Sequence, residues 1–119
     1  MASNRILVVA LDLDVRRSLV FALEEEGHRV TGLEALPSLS YLREQRFNCS
    51  VVDQRSLTGK PHESISFCIA AHPVVLLAAQ PFAWLADWVA QIVITPDPGN
   101  ALNAAVLAAT RATSPHDFS

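Results

Sequence analysis

Apolar residues fall along this chain in short unbroken runs. The first is Ile6-Leu7-Val8-Val9-Ala10-Leu11, and others follow at Cys49-Ser50-Val51-Val52, Val74-Val75-Leu76-Leu77-Ala78 and Ile92-Val93-Ile94. Runs this short and this continuous predict strands buried on both faces, as in the middle of a parallel sheet. A half-polar run, His28-Arg29-Val30-Thr31, predicts a second strand near a sheet edge. Between the strands the spacing changes to that of helices. From Val15 to Glu26 the residues Val15, Leu19, Ala22 and Leu23 share one face, which Val20 and Phe21 widen, while Arg16, Arg17 and Glu24 to Glu26 are solvated. Asp14 is placed to cap that helix and Gly27 to stop it. Pro37 opens a second helix to about Gln45, with Leu36, Leu39 and Leu42 toward the sheet. A third runs from about Glu63 to Ala71 on an Ile65-Cys68-Ile69 stripe and ends before His72-Pro73. A short fourth helix is predicted from Phe82 to Ala90. A last one starts at Asp97-Pro98 and reaches about Ala112, ahead of a polar tail, 113–119.

Strand alternating with helix predicts right-handed crossovers and a parallel sheet. The expected architecture is α/β and flavodoxin-like, a doubly wound five-stranded parallel sheet in the order 2-1-3-4-5. It forms a single domain over 1–119 with its core at about 5–112. Ligands in such folds bind at the carboxyl ends of the strands. Asp53 closes the third strand and so belongs at that edge.

Composition narrows the function. A chain of 119 residues that is half hydrophobic supports one core. The net charge of -3 and the lack of any Lys/Arg cluster exclude a phosphate-neutralising, nucleic-acid-binding face. No apolar run reaches the roughly 18 residues of a membrane span. The N-terminus runs straight into the first strand, so no signal peptide and a cytoplasmic setting are expected. Cys49 and Cys68 fall within predicted buried elements and are expected to be free core thiols.

The residues go further than the fold. Ile6-Leu7-Val8-Val9 with Asp14-Val15-Arg16-Arg17, then Leu23-Glu24-Glu25-Glu26-Gly27-His28-Arg29-Val30, resembles the start of a bacterial response-regulator receiver domain, CheY-like in type. Arg43-Glu44-Gln45-Arg46-Phe47 ahead of Val51-Val52-Asp53 resembles the approach to its phosphoacceptor. Val74 to Ala79 and Val93-Ile94-Thr95-Pro96 resemble its fourth and fifth strand ends. The resemblance implies a site of two Mg²⁺-binding acids, a phosphoacceptor aspartate, a switch hydroxyl and a lysine followed by a cis-proline. Carried onto this chain, the acid pair falls on Ala10 and Leu11, the phosphoacceptor on Asp53, the hydroxyl on Ala78 and the lysine on Thr95. Pro96 matches the proline, and a cis Thr95-Pro96 bond is expected. Of the five polar positions only Asp53 is kept. Asp12 sits next to the acid pair, as a weak metal candidate or an exposed loop acid. The spans from Asp53 to Ala78 and from Ala78 to Thr95 are several residues shorter than in the family, so the third and fourth helices should be shortened.

The function follows from the missing charges. Phosphoryl transfer needs a metal and cations to offset accumulating charge. With Asp53 alone, Mg²⁺ binding is expected to be weak or absent, no cofactor is implied, and the chain is not expected to be an enzyme. It reads as a stand-alone pseudo-receiver of two-component signalling that acts through protein contacts. The alternative is a genuine phosphoacceptor modified on Asp53 by a histidine kinase. Implied partners are proteins, a histidine kinase or another regulator, or a second copy docked through the face of the fourth helix, fifth strand and fifth helix. Trp84 and Trp88 lie there, four apart and hence on neighbouring surface if helical. With Leu85 and Val89 on the core side, Trp84 is expected to be exposed. Ala101 and Ala105 on the last helix allow close approach. Neither nucleic acid nor membrane is an expected partner. His28, His62, His72 and His116 lack metal-ligand spacing, Ser56, Ser64 and Ser66 lack a paired base, and Gly59-Lys60 lacks the earlier glycine of a phosphate loop. Arg55 and Lys60 are candidates for an ion pair with Asp53. In that case Arg55→Ala changes stability between about pH 3 and 5, where carboxylates titrate.

Overall fold

In the computed structural model, which describes residues 4–96 and 101–112, five parallel strands form one sheet. They are β1 (Arg5–Val9), β2 (Arg29–Leu33), β3 (Cys49–Asp53), β4 (Val74–Ala78) and β5 (Gln91–Ile94), in the order β2-β1-β3-β4-β5. The strand order and the parallel pairing are those expected from the alternation, and β2 is an edge strand.

The helices are α1 (Leu13–Glu25), α2 (Leu39–Gln45), α3 (Pro61–Ala70) and α4 (Ala101–Ala112). The period-two alternation of the strands splits the core into two layers. Ile6, Val8, Cys49, Val51, Val75, Leu77 and Val93 point to the α1/α4 side, against Leu23, Val106 and Ala109. Leu7, Val9, Val52 and Leu76 point to the other side, against Leu42, Phe67, Cys68 and Leu85. Each fully buried Val, Leu or Ile contributes about 1.5–3 kcal/mol, so the strand runs seen in the sequence carry the fold. Ser50 is the polar exception inside β3, and its hydroxyl donates to the Ala71 carbonyl at the end of α3.

Local chemistry moved several boundaries. Asp12, not Asp14, caps α1: its carboxylate accepts the Val15 N–H at 3.0 Å, and Asp14 sits in the first turn. Gly27 ends α1 in the left-handed region, at φ 92°, as expected. Ser38 caps α2, so Pro37 lies outside it. β2 begins at Arg29 and extends to Leu33, and Gly32 within it lets α1 approach closely; a Cβ there would meet Val20 Cγ2 at 3.1 Å. Phe21 and Leu39 are exposed rather than turned to the core. The Thr95-Pro96 bond is cis, as expected, and His72-Pro73 is cis as well. The expected cap Asp97, Pro98 and the tail lie outside the described residues.

The largest departure is the predicted fourth helix. Only Ala83–Trp88 is helical there, and it is 3₁₀. Leu85 alone is buried in this segment, over β4. It leaves Ile92 and Ile94, which point to the same side from β5, exposed.

Cys49 and Cys68 are free and buried. Burial pushes the Cys49 thiol up to about 12 against a weaker, lowering backbone hydrogen bond with Ser50, and the Cys68 thiol up to about 11. Thiols whose folded pKa lies above the unfolded one stabilise the fold fully below the ordinary value of 9.0, and that contribution is lost as pH rises through the folded values. Urea midpoints should therefore fall between about pH 9 and 11, and fall less in a Cys49→Ala/Cys68→Ala protein. Parallel pH profiles for the two proteins would count against this.

Candidate carboxyl-edge site

β3 delivers Asp53 to the carboxyl edge of the sheet, on the α1/α4 side set by Cys49 and Val51. Its side chain is only 8% exposed, and a cation compensates its charge. Arg55, two residues on, supplies that compensation. Its backbone N–H donates to Asp53 Oδ1 at 3.0 Å, its Nε to both oxygens at 3.3 and 3.2 Å, and its Nη2 to Oδ2 at 2.8 Å. The N–H bond is an Asx-type turn, which makes Asp53 the cap of the 3₁₀ turn Gln54–Ser56. The side-chain bonds make the pair bidentate. Asp53 holds the Arg55 guanidinium above its ordinary value, first through these hydrogen bonds and then through charge; the Asp12 carboxylate adds a smaller push the same way, against desolvation. Lys60, the other cation expected near Asp53, stands at the start of α3 with its backbone N–H on Glu63 Oε1, and among the described residues only Arg55 pairs with Asp53.

The residues either side of Arg55 stitch the edge together. Gln54 donates through Nε2 to the Gln80 carbonyl and accepts the Phe82 N–H through Oε1, tying the β3 loop to the β4 loop. Ser56 Oγ accepts the Leu11 N–H at 2.9 Å, tying it to the β1 loop. Arg16 Nη1 donates to the Ala10 carbonyl. Sequence reasoning missed Gln54 and Ser56, whose partners are 26 and 45 residues away. An aspartate followed at the second position by arginine is a readable signal for the Arg55 turn.

The other sequence-selected positions are brought together, but without the chemistry that the resemblance assigns to them. Ala10 is buried and Leu11 exposed. Ala78 and Thr95 lie side by side at the ends of β4 and β5, where the Thr95 N–H donates to the Ala78 carbonyl. The donor set does not fit Mg²⁺, which takes six oxygens in near-octahedral geometry: one carboxylate is offered, and a guanidinium already covers both its oxygens. Asp12 spends its carboxylate on the α1 cap, and no group of three or more metal-type side chains occurs among the described residues.

Beside the Asp53–Arg55 pair opens a cavity of about 770 Å³. Val15 and Leu19 of α1, Leu77 of β4, Phe82, Pro96 and Leu102, with Ala78 and Ala79, form its apolar wall.

No family model matches this chain, and no curated protein matches its sequence. Solved structures do match. The non-phosphorylated HemR receiver domain of Leptospira biflexa aligns over 96% of this chain and 99% of its own, at 22% identity and a TM-score of 0.76. The chemotaxis protein CheY4 of Vibrio cholerae aligns over 91% of this chain and 99% of its own, at 14% identity and a TM-score of 0.72. This chain has the receiver-domain fold. A third match is the receiver domain of a sensor histidine kinase from Pseudomonas aeruginosa, with a magnesium ion coordinated in its active-site cleft. It aligns over 92% of this chain and 99% of its own, at 19% identity and a TM-score of 0.73.

The face of the receiver fold beyond β4 differs from expectation. In a 3₁₀ segment residues three apart eclipse, so Trp84 and Trp88, four apart, point in different directions instead of sharing a surface. Trp84 stacks on Phe82 with ring centroids 5.3 Å apart. Trp88 borders a separate groove with Ile69 and His72. Both indoles are exposed, at 41% and 42%. Ala101 is exposed, whereas Ala105 is buried in the core beside Val106 and Ala109 and offers no surface. No helix among the described residues is long and apolar enough to cross a membrane.

Proposed function

We propose that this chain is a receiver-fold module of two-component-type signalling that works by protein–protein contact, without a Mg²⁺-dependent phosphorylation cycle. It is not an enzyme in this reading, and it needs no cofactor. The observation that carries the proposal is the buried Asp53 carboxylate with both oxygens bound by Arg55. A phosphodonor approaching Asp53 has to displace that guanidinium. It finds no acid at Ala10 or Leu11 to hold a metal, no ammonium at Thr95 and no switch hydroxyl at Ala78. With the pocket neutralised from within, recognition falls to the surface. Phe82, Trp84, Trp88, Ile92 and Ile94, all within the stretch 82–94, are exposed apolar side chains, and aromatic residues are enriched at interfaces. The partners on this reading are proteins, such as a kinase, another regulator or a second copy. The setting is cytoplasmic.

One observation favours the rival reading. Asp53 still closes β3 at the carboxyl edge, so slow modification of Asp53 by a histidine kinase is the alternative. Treatment with acetyl phosphate and Mg²⁺, followed by intact-mass measurement, separates the two. The expected result is no phosphoryl adduct. Efficient labelling of wild type that disappears in Asp53→Asn would sink the first reading in favour of the second.

A further inference from the structure

We propose that the carboxyl-edge cavity is a binding site for an uncharged, apolar small molecule carrying one carbonyl-type acceptor, with that acceptor on Arg55. Protein interiors keep few voids larger than a water molecule. A space of about 770 Å³ falls in the range of ligand pockets, roughly 300–1,000 Å³. Its wall is mostly aliphatic with Phe82, and its polar lining residues are few: Asp53, Gln54 and Arg55 together, with Gln80 and Thr95. That combination, an apolar body with a few convergent polar groups, is what small-molecule sites show.

The polar end selects against charge. Each Asp53 oxygen already accepts two hydrogen bonds from Arg55, so an ammonium finds no open lone pair without breaking the pair. An anion drawn to Arg55 meets the Asp53 carboxylate beside it. A neutral acceptor meets neither obstacle. Arg55 commits its backbone N–H, Nε and Nη2 to Asp53, and its Nη1 donors carry no bond among the described residues. The side chain is 70% exposed, so a ligand reaches it without the ion pair having to open. Gln54, by contrast, is held by the Gln80 carbonyl and the Phe82 N–H and serves as wall.

The fold supplies its own reporter. Phe82 lines the cavity and stacks on Trp84, while Trp88 borders a different groove. Prodan, an uncharged naphthyl ketone, is the probe. Titration of the full chain should give saturable one-site binding, a blue shift of the dye and energy transfer from tryptophan that drops in Trp84→Phe more than in Trp88→Phe. Arg55→Leu should weaken binding about tenfold, the worth of one hydrogen bond to a charged donor. Leu19→Trp, which fills the cavity, should abolish it. Ala79→Phe, at an exposed lining position, should do the same if the core variant does not fold. The proposal is overturned by non-saturable binding, by unchanged affinity in Ala79→Phe, or by tighter binding of the sulfonated anionic dye 1-anilinonaphthalene-8-sulfonate than of Prodan.

Discussion

A Leu11→Asp/Thr95→Lys/Arg55→Ala protein is expected to bind Mg²⁺ on the order of a thousandfold more tightly than wild type and to accept phosphate on Asp53. Two unit charges about 4 Å apart attract by about 4 kcal/mol at an effective dielectric near 20, which is about three decades in affinity. Leu11 is 57% exposed, so an aspartate there leaves the core intact. Its N–H already reaches Ser56 Oγ, which keeps the first-strand loop against the loop that carries Asp53. Removing the Arg55 side chain uncovers both carboxylate oxygens, and the Thr95→Lys change returns an ammonium to the end of β5, beside Ala78. Calorimetric Mg²⁺ titration and intact-mass measurement after acetyl phosphate treatment read the two effects. A folded triple variant with wild-type Mg²⁺ affinity would show that the missing charges are not what keeps the pocket inactive.

Leu85→Ala should lower unfolding free energy by about 2–5 kcal/mol, the range for emptying a buried leucine site. The effect on the surface should exceed what the stability loss alone implies. Leu85 is the one buried residue of the Ala83–Trp88 segment and packs among Leu76, Phe67 and Cys68. Without it the 3₁₀ segment has no side chain anchoring it to the sheet, and Trp84 and Trp88 lose their fixed directions. Urea unfolding followed by circular dichroism gives the first quantity. Tryptophan anisotropy under native conditions gives the second. A variant that loses stability while keeping wild-type anisotropy would show that the Gln54–Phe82 bond holds the segment unaided.

β3 and β4 have the limits that their apolar runs predict, because a strand buried on both faces has no alternative residue to include at either end. The caps were harder. Asp12 and Asp14 are equally good capping residues by type, and the fold seats Asp12 on the Val15 N–H. The segment 83–88 has the composition of a helix. It is 3₁₀ instead, a form that rises about 2.0 Å per residue against about 1.5 Å for α and so reaches further with few residues. Ala101 and Ala105 looked alike in sequence, and packing exposed one and buried the other.

The site divides in the same way. That Asp53 stands at a strand end is decided by its apolar run, and that the positions picked out by the receiver resemblance, Ala10, Leu11, Ala78 and Thr95, bring no charge to it is decided by residue identity. The Asp53–Arg55 pair is also local, two residues apart, and was legible as an ion pair. What only the tertiary structure decided is how the edge is closed. Gln54 and Ser56 reach loops 26 and 45 residues away, and no spacing rule encodes contacts made through the parallel sheet. The cavity beside them is likewise a property of how α1, β4 and α4 meet, since volume is what packing leaves between elements and no single residue carries it.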